Sequence, residues 1–175
     1  MLSIYSNAQP ASAGVYNSLK GIGATLEIPH GESEFTSIVA FTEIYGIPTG
    51  RCDSPGFKAR YSHNFIFKTY EQEATIFMLY AGPGVTAGYM RDFELGRRID
   101  NTLTLTHNPG LMAALCGSLG CRFSFESRIA LDLSFTADLG IHARQNEELH
   151  NIDVRMYRNG LMQAFYPELS ILVYL

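Results

Sequence analysis

From Ile129 to Arg144 the chain alternates almost without error. Ile129, Leu131, Leu133, Phe135, Ala137, Leu139, Ile141 and Ala143 fall on one parity, and Ala130, Asp132, Ser134, Thr136, Asp138, Gly140, His142 and Arg144 on the other. Successive side chains of an extended chain point to opposite faces, so this pattern predicts a strand with one apolar and one polar face. Helical periodicity is weak elsewhere, whereas period-two runs recur. They predict eight strands: Leu2–Asn7, Leu19–Ile28, Phe35–Ile47, Phe57–Tyr70, Ala74–Phe93, Leu105–Phe125, Ile129–Arg144 and Leu161–Leu175. Pro109 leaves the start of the sixth open, since proline is confined to strand ends, edges and bulges. The short extended piece NIDVRMY precedes the Asn159-Gly160 turn signal and belongs to a loop arm or to the upper part of the last strand.

The links between these strands alternate in length. Short ones follow the second, fourth and sixth strands, and longer ones (AQPASAGVYNS, PTGRCDSPG, ELGRRIDNTLT, QNEELHNIDVRMYRNG) follow the first, third, fifth and seventh. Short turns at one end and long loops at the other are the layout of a transmembrane β-barrel, with both termini at the turn end.

Which face is inside decides everything that follows. In the fifth strand Phe77, Leu79, Ala81, Pro83, Val85, Ala87 and Tyr89 oppose Met78, Tyr80, Gly82, Gly84, Thr86 and Gly88. In the sixth, Leu111, Ala113, Leu115, Leu119, Phe123 and Phe125 oppose Ala114, Ser118, Gly120, Arg122, Ser124 and Glu126; in the last, Leu169, Ile171, Val173 and Leu175 oppose Glu168, Ser170 and Tyr174. A soluble sheet would turn a Lys-, Glu- and Thr-rich face to water. The non-apolar rows here are mostly Gly, Ala and Ser with a few charges, which suits the crowded lumen of a barrel of about eight strands. The apolar rows then face lipid. On this reading Phe35, Phe67, Phe77, Phe123 and Phe125 form an aromatic girdle at the turn end, and Tyr45, Tyr61 and Tyr89 one at the loop end.

Composition agrees. Charged residues are 17% of the 175, against roughly 25% in an ordinary soluble domain, while 46% are hydrophobic and 12% aromatic. The net charge of -4 and the scattered Lys and Arg leave no basic stripe, so no nucleic-acid partner is expected. One domain spans 1–175. No apolar run reaches the roughly 20 residues of a transmembrane helix, and MLSIYSNAQP lacks the basic start and apolar core of an export signal. A cytoplasmic or periplasmic soluble chain is therefore the alternative localisation. Cys52, Cys116 and Cys121 show no metal-ligand spacing, and Cys116 and Cys121 fall on opposite faces of one strand, so free thiols and no metal or other cofactor are expected.

The segments LYAGPGVTAGY, GSLGCRFSFESRIALDLSF and QAFYPELSILVYL resemble the last four strands of the small outer-membrane β-barrel proteins of Gram-negative bacteria, broadly OmpA/OmpX-like in architecture. The resemblance covers about the last 100 residues and carries no catalytic signature. Family members bear an export signal and commonly end in Phe, where this chain ends in Leu175.

The turn at Glu126, Ser127 and Arg128 pairs Phe125 with Ile129 and so sets Arg122 opposite Asp132 in the lumen. A buried charge must be paired. An Arg122–Asp132 ion pair is expected, joined by Glu126, Glu168, Lys68 or Arg60 from the lumen parity of other strands. Asp138, His142 and Arg144 share that parity near the loop-side rim. A carboxylate orienting a histidine can support general-base chemistry, but Ser134 lies well below His142, so a structural rim histidine is the expectation. Two residues misfit: His63 shares the apolar parity of Tyr61, Phe65 and Phe67, which calls for a bulge near Ser62–Asn64 or a neighbouring chain; Glu43 shares the apolar parity of the third strand.

The sequence therefore predicts an all-β, up-and-down antiparallel transmembrane barrel of about eight strands with a side-chain-filled lumen. Its expected role is that of a monomeric, non-enzymatic outer-membrane scaffold in contact with outer-membrane lipid, its extracellular loops free to take a ligand. The alternatives are a soluble lipocalin-like barrel with the apolar parity inward around a small hydrophobic ligand, and a lipid-modifying outer-membrane enzyme that depends on His142.

Overall fold

The computed structural model describes residues 10–50, 52–72, 74–91, 94–97, 103–106, 109–125, 128–146, 151–158 and 166–175. The strands are β1 (Ser12–Asn17), β2 (Ile22–Pro29), β3 (Glu34–Glu43), β4 (Gly56–Gln72), β5 (Thr75–Met90), β6 (Glu94–Arg97), β7 (Leu103–Thr106), β8 (Gly110–Phe125), β9 (Ile129–Asn146), β10 (Asn151–Arg158) and β11 (Tyr166–Tyr174). Eight of them pair antiparallel in the ring β1-β2-β3-β4-β5-β8-β9-β11, and β11 closes it on β1. β6 and β7 form a separate hairpin within the loop between β5 and β8.

The pairing fixes the barrel's shape. A path across partners from Leu133 runs through Leu169, Asn17, Ile22, Thr42, Phe57, Tyr89 and Leu111 and returns to β9 at Ala143, ten residues beyond its start. With strands about 4.8 Å apart and a rise of about 3.3 Å per residue, that stagger tilts the strands by about 40° to the axis. Such a barrel has an interior that side chains fill.

Alternation places the faces as the composition argued. Leu133 is 37% exposed and Ile171 49%, whereas Asp132 and Arg122 are 3% and 2%. The lipocalin-like alternative places the apolar parity inward, and the exposures place it outward. Small residues on the inner face make room for large ones: a Cβ added to Gly120 would lie 2.3 Å from the ring of Tyr80, its cross-strand partner on β5, which lies flat over it. The turns obey local chemistry. Gly31 supplies a φ of 103° between β2 and β3, and Arg128 takes a φ of 64° in the last position of the β8–β9 turn, the left-handed step of a three-residue hairpin.

Several expectations change. The strand predicted at Leu2–Asn7 lies outside the described residues, and the first observed strand is β1, inside what reads as a long loop. SAGVYN holds one large β-former pair among small residues, too weak a signal to register. The β1–β2 link is therefore the short stretch Ser18–Gly21, although the other loop-end links stay long. The sixth strand starts at Gly110, directly after Pro109, and Leu103–Thr106 belongs to the separate hairpin. NIDVRMY is β10, which pairs with β9 above β11: Arg158 lies opposite Leu139 and Tyr166 opposite Thr136. It is at once a loop arm and the upward continuation of the last strand's position.

The third strand has the opposite orientation to the one expected. Phe35 and Val39 are buried in the lumen with Glu43, while Ile38 and Ala40 face out. Both faces of β3 are substantially apolar, so hydrophobicity alone does not orient it. Phe35 thus leaves the proposed girdle and Phe77 is half-buried, but Phe67, Phe123 and Phe125 are exposed at the turn end, joined there by Tyr70, and Tyr61 is exposed higher up. The fourth strand bulges between Ile66 and Lys68 rather than near Ser62–Asn64. A one-residue slip turns every later side chain to the other face, so Lys68 points outward over the Tyr70 ring, 5.0 Å from its centroid, and His63 stays on the outer face.

Candidate functional site: a charged column in the lumen

Polar side chains from around the ring converge inside the barrel and stack along its axis in three tiers. The lowest is built on the predicted register. Arg122 on β8 and Asp132 on β9 are cross-strand partners, and Arg122 Nε donates to Asp132 Oδ2 at 3.1 Å. Its Nη2 donates to Glu27 Oε1 on β2 at 2.6 Å. Glu27 also accepts from Ser12 Oγ, and Asp132 accepts from the Tyr80 hydroxyl at 2.6 Å. The guanidinium lies over the Phe35 ring at 4.6 Å, a cation–π contact that the aromatic face favours in a desolvated site. One cation therefore holds two carboxylates, and hydroxyls occupy oxygens that it does not reach.

In the middle tier Arg60 on β4 grips Glu168 on β11 with two parallel bonds, Nη1 to Oε1 at 2.8 Å and Nη2 to Oε2 at 2.5 Å. This fork-to-fork geometry is the strongest form of the pair. Thr136 accepts from Arg60 Nη1 at 2.8 Å and donates to Glu168 Oε2 at 2.9 Å, and the Tyr16 ring lies 5.6 Å from the guanidinium carbon. In the upper tier Lys58 Nζ is 2.7 Å from Glu43 Oε1 and donates to the Tyr157 hydroxyl at 3.3 Å. Asp138 accepts from Thr86 at 3.1 Å. Met90, Met112, Ala114 and Tyr157 form an apolar cluster at this end.

Between and above these tiers two voids remain on either side of Tyr16 and Arg60, about 20 and 30 Å³. Each has room for little more than a water molecule. Among the described residues the column is a packed, charge-paired core whose voids around Tyr16 and Arg60 are far smaller than a drug-sized or lipid-sized ligand.

Of the residues singled out in the sequence, Arg122 and Asp132 pair as expected, and Arg60 and Glu168 lie in the lumen but pair with each other in a tier of their own. Glu126 lies outside the described residues. Lys68 is excluded from the lumen by the bulge. Asp138 and His142 are buried in the upper lumen, not at an open rim, and Arg144 donates to Asp153 on β10 at 2.8 Å. Arg144 and Arg155 together hold the Asp153 carboxyl below its usual range. Ser134 reaches Glu168 at 3.5 Å and has no part with His142.

Glu27 and Lys58 were not anticipated in the lumen, and Glu43 stood out only as a misfit on an apolar parity. Glu27 was recoverable, because Thr25 and Glu27 alternate with Ala24, Leu26 and Ile28 as cleanly as in β9. Glu43 was not, because its parity companions Phe35, Val39 and Phe41 read as lipid-facing. Cys52, Cys116 and Cys121 form no disulfide, and Cys116 is buried on the lumen side of β8. Among the described residues no group of three or more His, Cys, Asp or Glu is arranged to hold a metal ion.

No family model matches the chain, and no curated protein matches it. Among solved structures, a major outer membrane protein from Thermus thermophilus is similar at 13% identity and a TM-score of 0.46, over 97% of this chain and 100% of that one.

Proposed function

We propose that this chain is an outer-membrane β-barrel of the small, plugged, OmpA/OmpX-like kind found in Gram-negative bacteria, acting as a non-enzymatic scaffold in the membrane. The observation that carries the reading is the inverted distribution of polarity: leucines and isoleucines stand exposed around the outside while arginines, lysine and carboxylates are buried within. In water that arrangement would leave a large apolar surface unprotected, far beyond the few hundred Å² that soluble monomers expose. In a bilayer it is the stable one, because a closed ring pairs the strands' backbone groups with one another and turns a mostly apolar face to lipid. The long loop-end connections and the β9–β10 arm are then the parts available to an extracellular ligand. Among the described residues no constellation of nucleophile, base and oxyanion donors stands in favour of the enzyme alternative, and the buried His142 would be out of a lipid substrate's reach.

The test is assembly. Urea-unfolded chain diluted into phosphatidylcholine vesicles is expected to insert, to run with heat-modifiable mobility on gels, and to resist protease in the barrel strands. Planar bilayers holding the folded protein are expected to show no steady pore current, since the tiers fill the lumen. Failure to enter vesicles while remaining folded and soluble would contradict the reading.

A further inference from the structure

The outer face of β2, β3 and β4 carries a polar group where its neighbours are apolar. His30 follows β2, Glu34 opens β3, and Thr36 lies opposite His63 on β4. His30 Nε2 and Thr36 Oγ1 are 2.8 Å apart, Thr36 Oγ1 and His63 Nδ1 3.5 Å, and His63 Nε2 and Glu34 Oε2 3.3 Å. The two imidazole rings lie 5.8 Å apart. Ile28, Ile38, Tyr61 and Phe65 stand exposed around them. Ionisable groups among lipid-facing side chains are costly and are a mark of function, and the lumen tiers make no use of these.

A groove begins above the polar group. Ala40 pairs with Ala59, and Ala59 with Ala87, all pointing outward. With Phe57 and Thr42 as a wall they border a groove of about 410 Å³. The Ala40–Ala59 pair is four residues up the strands from the Thr36–His63 pair, about 13 Å, within reach of one acyl chain. The polar group offers an acceptor and a donor: a carboxylate at Glu34, half exposed beside the turn, and an imidazole N–H at the exposed His30.

We propose that this face holds one phospholipid with a primary-ammonium headgroup, of the phosphatidylethanolamine class, from the leaflet at the turn end. Glu34 takes the ammonium, the exposed His30 donates to the phosphate through Nδ1 while the buried Thr36 hydroxyl holds its Nε2, His63 fixes the Glu34 carboxylate, and an acyl chain lies across Ile38 and Tyr61 into the alanine groove. An ammonium meets the Glu34 carboxylate favourably and with N–H donors to spare, where an anionic headgroup would meet it unfavourably. The site rests on the membrane reading above.

The test is retention of lipid by the whole chain released in a mass spectrometer from nanodiscs of equal phosphatidylethanolamine, phosphatidylcholine and phosphatidylglycerol. One phosphatidylethanolamine is expected to stay bound in preference to the other two. Loss of a charge-assisted hydrogen bond in Glu34→Gln or His30→Ala is expected to lower its retention about tenfold, and Ala59→Leu, which fills the groove without touching the headgroup site, to lower it as well. Heat-modifiable gel mobility confirms that each variant is folded. Equal retention of the three lipids, a preference for phosphatidylglycerol, indifference to Glu34→Gln, or a lipid-free dimer seated on this face would each overturn the site. A chain that does not enter the discs contradicts the membrane reading and the site with it, whereas insertion without lipid preference overturns the site alone.

Discussion

Replacing Arg122 with Met is expected to destabilise the folded barrel by about 3–5 kcal/mol, the usual cost of removing one partner from a buried ionic group. Arg122 is the cation that holds both Asp132 and Glu27, each almost fully buried. Without it two carboxylates remain buried together in the lumen where, among the described residues, the Ser12 and Tyr80 hydroxyls donate to them. The triple variant Arg122→Met, Asp132→Asn, Glu27→Gln is expected to recover most of the loss, because it removes the uncompensated charge along with the ion pairs. Urea unfolding in lipid vesicles, followed by tyrosine fluorescence, measures both. A triple variant no more stable than Arg122→Met alone would show that packing of the guanidinium on Phe35, not charge pairing, is what the residue provides.

A charge on the outer face gives the second large effect. Leu133 lies four residues above Ile129, the turn-end limit of β9, which at a tilt of about 40° is about 10 Å along the barrel axis. That places it near the middle of an apolar band about 25 Å tall. Leu133→Arg is expected to cost about 2–4 kcal/mol in vesicles, and Ile129→Arg, near the edge, about 0–1 kcal/mol. The dependence on depth is the informative part. Were this barrel, with its apolar face outward, to stand in water, both positions would be exposed to solvent, and neither arginine would matter beyond a few tenths of a kcal/mol.

The contrast between β9 and β3 explains how much of this was legible in the sequence. β9 alternates Leu, Ile and Phe with Asp, Ser and Thr, so its orientation, its register with β8 and the Arg122–Asp132 pair all follow from period and turn length. On β3 an apolar residue stands on both parities, with Phe35, Val39 and Phe41 on one and Ile38 and Ala40 on the other. The lumen of so narrow a barrel accepts Phe and Val as readily as polar groups, provided that something packs on them, and Phe35 packs against Tyr80 and beneath Arg122. Orientation there is decided by neighbours on other strands, which no local pattern contains. The bulge after Ile66 is a similar case. The misfit of His63 signalled irregularity in β4 but could not locate it, and a bulge only a few residues further along was enough to send Lys68 outside. The middle tier was half visible: parity put Arg60 and Glu168 in the lumen, but their pairing depends on β4 and β11 facing each other across the closed ring, a consequence of the ten-residue stagger.

The most direct test of the account is the position of two adjacent side chains on β9. With Cys52, Cys116 and Cys121 replaced by Ser, single cysteines at Leu133 and Ser134 carry a fluorescent label in vesicles and are probed with a lipid-phase quencher and an aqueous one. The account predicts strong quenching of the label at position 133 by the lipid-phase agent and shielding of position 134 from both. A label at position 133 reached by neither quencher, with position 134 open to water, would contradict it.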